Sequence, residues 1–124
     1  DYVVCLKDAG AQEVVILHVI EKGNFDAIAR YATKDILEIE KNLRERAMAE
    51  MRPIEERLKK KGFKVKLIVT RAVPYMGVLD VEQEEKASLI VIGSHGMSNI
   101  AEIFLGSVAE KIVRRAKTPV LVIR

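Results

Sequence analysis

Four short runs rich in Val, Ile and Leu, set between segments of helical period, constrain this chain more than any other feature. They cover residues 13–20 (EVVILHVI), 63–70 (FKVKLIVT), 88–92 (SLIVI) and 119–123 (PVLVI). Most show little alternation of apolar and polar residues, the pattern of strands covered by helices on both faces. The second run alternates at its start, with Val65 and Leu67 against Lys64 and Lys66, which suits an edge strand. Ile36, Ile39, Leu43, Ala47, Met51, Ile54 and Leu58 follow one another at steps of three or four, which predicts one long helix with a charged opposite face. Lys59, Lys60 and Lys61 complement the dipole at its end, Gly62 suits the position just past it, and Pro53 is expected to interrupt and kink it. Further helices are predicted over residues 74–87 and from Ser107 to about Ala116. Residues 21–34 lack a clean period and read as a loop with a short helical piece. Residues 2–9 read as the end of a helix or a short strand, and Gly10 followed by a strand favours the helix end. Strands alternating with helices make βαβ units, a parallel sheet and an α/β fold.

The 124 residues fit one domain over 1–124, with no internal repeat or linker. Hydrophobic residues at 49% and charged residues at 31% exclude a disordered chain, and no apolar run approaches the eighteen or so residues of a membrane span. One cysteine excludes a disulfide framework and a Cys-based zinc site within the chain, and the cytosol is the expected compartment. The net charge is +3, with basic residues interleaved among acids and aromatics at 5%, so nothing argues for a nucleic-acid partner.

Ligands of open parallel sheets bind outside the carboxyl ends of the strands. The third run ends in Gly93-Ser94-His95-Gly96, and the chain continues to Gly106-Ser107-Val108, a G-x2-G-x9-G-S spacing. Two glycines that let backbone approach a ligand, followed by a helix N-terminus that attracts anions, make a phosphate cradle. The same residues allow a plainer reading: Ser107-Val108-Ala109-Glu110 has the S-x-x-E form of a capping box, and glycines after a strand are often only turns. The pattern is neither a Walker A loop nor the Rossmann G-x-G-x-x-G. His95 braces the loop or makes a minor phosphate contact. His18 reads as a satisfied core histidine and Cys5 as a small buried hydrophobe. Glu82, Glu84 and Glu85 read as a solvated helix face, and Met97, Ile100, Ile103 and Phe104 as loop anchors.

The stretch from Ser88 through the glycine motif and Leu105-Gly106-Ser107-Val108-Ala109-Glu110-Lys111-Ile112 to Thr118-Pro119-Val120-Leu121-Val122-Ile123 resembles the universal stress protein family. Leu17-His18-Val19-Ile20 and Gly62-Phe63-Lys64-Val65 are similar to that family's second and third strands, so the resemblance covers nearly the whole chain. It implies a Rossmann-like, open parallel five-stranded sheet in the order 3-2-1-4-5 with helices on both faces. It also implies ATP as ligand, with Mg or Mn carried on the phosphates and no metal ligand from the protein. Carried over by position, Gly93, Ser94, His95, Gly96, Gly106, Ser107 and Val108 would form the cradle. Ile92 would lie near the ribose and phosphates, and the backbone of Val19 would contact adenine. The family's first strand, with its acidic turn, has no counterpart before Tyr2, so an N-terminal segment is expected to be missing from the sequence. Ala72 stands where relatives often carry Gly. Family members often dimerise through the last strand, which implies a homodimer here.

Three functions compete. The first is an ATP-binding regulatory protein of the stress response acting on a protein partner. No residue is placed as a base or water activator, so hydrolysis would be slow or partner-dependent. The second is a nucleotide-free homodimeric interaction module with a structural glycine loop. The third is an enzyme related to the adenine-nucleotide α-hydrolases, which would need a substrate pocket that so short a chain hardly provides.

Overall fold

The computed structural model describes residues 2–31, 35–93 and 106–123. In chain order the elements are α1 (Tyr2–Cys5), β1 (Glu13–Glu21), α2 (Lys22–Tyr31), α3 (Ile36–Lys60), β2 (Lys64–Ala72), α4 (Pro74–Glu84), β3 (Ile90–Gly93), α5 (Ser107–Arg115) and β4 (Val120–Ile123). All four expected strands are present, and the chain is α/β with parallel pairing. It divides into two compact units, Asp1–Ala72 and Val73–Arg124.

In the first unit β1 and β2 pair in parallel over nine positions, from Glu13↔Lys64 to Glu21↔Ala72. The helix α3 packs on this pair and buries Ala47, Met51 and Leu58 from the expected stripe, while Ile36 and Ile54 stay about half exposed. Asp35 caps its start, with Oδ1 accepting from the Leu37 N–H at 3.0 Å. The helix runs unbroken through Pro53 rather than being interrupted there. Pro53 lacks the N–H that the Ala49 carbonyl would use, but both residues are exposed, so water can serve that carbonyl. At the far end Gly62 adopts φ +93°, a left-handed conformation that suits glycine. A Cβ there would also run into the Lys7 ammonium, which donates to the Lys61 carbonyl at 2.7 Å and lies over the Phe63 ring.

Two further expectations for this unit change. Residues 22–31 form a full helix, α2, where a loop with a short helical piece was expected. Only Phe25 of that helix is buried, so its sequence carries no apolar stripe to read. The strands are less covered than their apolar character suggests. Of β1 only Ile20 is buried among the described residues, and Val15 is 37% exposed.

In the second unit β3 and β4 pair in parallel over four positions, from Ile90↔Val120 to Gly93↔Ile123. The helices α4 and α5 pack together, burying Gly77 and Val81 from one and Ala109 and Ile112 from the other. The Tyr75 ring takes the Lys111 ammonium and the Arg115 guanidinium, each 5.1 Å from its centroid. The α4 helix ends at Glu84, three residues before the expected end. Lys86 then turns the chain at φ 51°, and the Ala87 N–H donates to the Glu82 carbonyl at 3.0 Å.

Candidate functional site

The second unit assembles most of the described site residues at one end. β3 closes with Ile92 and Gly93, and α5 opens at Ser107 with Gly106 as its N-cap. Because β3 and β4 are parallel and α5 connects them, α5 must run back along the pair. Only residues 116–119 separate its end from β4, so its first turn stands at the carboxyl end of β3, the end that carries Gly93.

Among the described residues no side chain caps that first turn. The hydrogen-bond ladder begins with the Glu110 N–H donating to the Gly106 carbonyl at 2.9 Å, which leaves the N–H groups of Ser107, Val108 and Ala109 ahead of it. The capping box expected at residues 107–110 does not form. Gly106, not Ser107, occupies the N-cap, and Glu110 pairs with Arg114 at 2.8 Å instead of reaching back. Ser107 and Val108 are exposed and Gly106 is half-buried. Gly106 has φ −60° and ψ 154°, values any residue adopts, and among the described residues positive φ at glycine occurs only at Gly10 and Gly62. The backbone at position 106 therefore does not itself require glycine.

Ser94, His95 and Gly96 lie outside the described residues, as do Met97, Ile100, Ile103 and Phe104. Val19 belongs to the first unit, half-buried in β1 opposite Thr70. In that unit the Phe25 ring carries the Arg71 guanidinium at 4.3 Å. Arg44 donates to the Val69 carbonyl at 2.7 Å and pairs with Glu40 at 3.2 Å, and Arg71 lies 3.9 Å from the same carboxylate. A groove along α3, between Leu37 and Arg52, is lined by that helix alone and includes none of the residues named from the sequence.

Three other readings are corrected. His18 is half-buried beside Val69 rather than a core residue, and Cys5 is exposed at the end of α1. Glu84 is exposed as expected, but Glu82 is 4% exposed and is the buried charged residue of the described structure. Its carboxylate accepts from the Thr118 hydroxyl at 2.7 Å, the Thr118 N–H at 3.0 Å, the Lys117 N–H at 3.1 Å and the Gln83 amide at 3.2 Å. The Thr118 hydroxyl does most to hold the carboxyl below its ordinary value. Burial pushes the other way, and the Thr118 N–H, the Gln83 amide and the Lys117 N–H reinforce the lowering.

Among the described residues no group of three or more His, Cys, Asp or Glu side chains is placed to hold a metal ion. No described helix is long and apolar enough to cross a membrane. Universal stress protein MJ0577 of Methanocaldococcus jannaschii is 33% identical over 99% of this chain and 83% of its own length. Its solved structure superposes with a TM-score of 0.85 at 34% identity, covering 98% of this chain and 82% of that one. Universal stress protein YxiE of Bacillus subtilis is 29% identical over 100% of this chain and 87% of its own. A universal stress protein solved in complex with cAMP shares the fold, with a TM-score of 0.56 at 24% identity over 90% of this chain and 73% of that one. The profile of the universal stress protein family matches residues 4–124, and the chain belongs to that family.

Proposed function

We propose that this chain is an ATP-binding regulatory protein of the stress response. The observation that carries the reading is the first turn of α5, which no described side chain caps and which the parallel connection from β3 to β4 directs towards the carboxyl end of β3. Its first N–H groups, which have no carbonyl partner within the helix, and its dipole suit a phosphate, and Gly106 brings no side chain to the turn. A relative solved with cAMP adds that this fold accommodates an adenine nucleotide in another member. In this reading Gly93, Ser94, His95, Gly96, Gly106, Ser107 and Val108 form the cradle. Ile92 lies near the ribose and phosphates, and the backbone of Val19 meets adenine. A divalent ion, Mg or Mn, rides on the phosphates. In this reading hydrolysis is slow or depends on a partner.

The reading includes one cytoplasmic domain over 1–124 and the strand order 3-2-1-4-5. β1 beside β2 and β3 beside β4 are the neighbour pairs that order requires of these four strands. It also includes a homodimer through β4, whose outer edge has no partner among the described residues and whose Leu121 is 36% exposed. Val122→Lys at the centre of that edge is expected to shift the protein towards monomer in analytical ultracentrifugation. An undisturbed dimer in the variant, or a wild-type monomer at micromolar concentration, would refute the interface.

The binding test is a thermal melt with and without Mg-ATP. A ligand at a hundred times its Kd adds about 2.7 kcal/mol of stability. No upward shift of Tm at millimolar Mg-ATP refutes the nucleotide reading.

A further inference from the structure

α5 is a short rod of nine residues, about 13 Å long. Its first turn is the proposed phosphate cradle. Its other end runs into residues 116–119, and there Glu82 accepts both main-chain N–H groups of Lys117 and Thr118 together with the Thr118 hydroxyl. In the same turn the Pro119 carbonyl accepts the Ile90 N–H at 3.0 Å, at the start of the strand that closes with Gly93. The two backbone segments that carry the described motif glycines, β3 with Gly93 and α5 with Gly106, are thus referenced to one turn, and Glu82 fixes that turn from α4. We propose that Glu82 is a positioning residue for the phosphate cradle, acting through α5 from the end opposite the ligand.

A Gln at this position replaces one accepting oxygen with an NH2 group, which faces donors instead of accepting from them. The turn then relaxes, and α5 shifts along its axis. Groups that hold phosphate lose their geometry, whereas the base contact proposed for the Val19 backbone lies on β1, outside the turn that Glu82 fixes. This inference rests on the ATP reading, and the test separates the two by titrating the full chain with ATP, tripolyphosphate and adenosine at a temperature where every variant is folded by circular dichroism. Glu82→Gln is expected to weaken ATP and tripolyphosphate by about tenfold, within the range of such couplings, and to leave adenosine unchanged. A wild-type protein that binds no ATP overturns the reading and this inference with it. Unchanged ATP affinity in folded Glu82→Gln overturns the inference alone. An equal loss for all three ligands also overturns it, because general loosening does not distinguish phosphate from base. Should Glu82→Gln fail to fold, Thr118→Val, which removes only the hydroxyl bond, carries the test. A smaller loss confined to ATP and tripolyphosphate supports the proposal, and no loss refutes it.

Discussion

The β1–β2 pair runs in register for nine positions under a 25-residue helix, whereas the β3–β4 pair runs for four and is accompanied by two helices of eleven and nine that pack on each other. The long pair spreads its stabilisation over several buried side chains, among them Phe25, Met51, Leu58 and Phe63, and many half-buried apolar positions along its strands. The short pair concentrates it. Ile112 at 1% exposure is the most completely buried large side chain described, and one buried carboxylate holds the turn into β4. A region that rests on a few residues fails by single changes, and this is the region that carries the described part of the glycine motif.

The largest effect should come from breaking the short pair's core. Ile112→Ala is expected to cost about 2–5 kcal/mol, the range for emptying a large buried aliphatic position. Urea unfolding read by circular dichroism checks the size. Amide exchange should show the loss spreading through β3, β4 and α5 before β1 and β2. An equal loss of protection in both pairs would mean that the two regions open together.

Acid should act next. The folded value of the Glu82 carboxyl lies below its ordinary value, so its contribution is complete above about 4.5 and is lost as pH falls through the lower folded value. Hydrogen bonds to a charged group contribute about 1.5–3 kcal/mol. Stability measured from pH 6 to pH 3 is therefore expected to fall more steeply in the wild type than in Glu82→Gln. Parallel pH profiles would show that the latch does not titrate as described.

The strands, the long helix and the glycine spacing were legible because each is written locally, as a period or as punctuation. Leu58, Met51 and Ala47 announce a helix face four and seven residues apart, and Gly62 announces its end. Glu82 was not legible, because its partners other than Gln83 lie 35 and 36 residues away and include main-chain N–H groups, which no side-chain pattern displays. Its sequence neighbours Glu84 and Glu85 made it look like one more solvated acid. The start of α5 at Ser107 was legible, but S-x-x-E describes only a possible cap, and Gly106 rather than Ser107 occupies the N-cap. α2 was missed as a full helix because a helix that buries only Phe25 leaves no stripe.

The two regions also end their helices differently, and this gives the smallest expected effect. After α3 the left-handed position is Gly62, at φ +93°, and after α4 it is Lys86, at φ 51°. Glycine meets that conformation without the Cβ clash that other residues suffer. Gly62→Ala should therefore destabilise the chain by about 1–2 kcal/mol, part of it from strain and part from displacing Lys7 off the Lys61 carbonyl. Lys86→Gly should move stability the other way by a few tenths to about 1 kcal/mol, since relief of strain is partly offset by the greater freedom of glycine in the unfolded chain. Lys86 is exposed, and no described hydrogen bond or ion pair from its side chain would be lost. Thermal melts of the two variants decide the matter. Opposite shifts of Tm mean that backbone conformation governs both helix ends, and a drop in both means that Lys86 is held in place by more than its backbone.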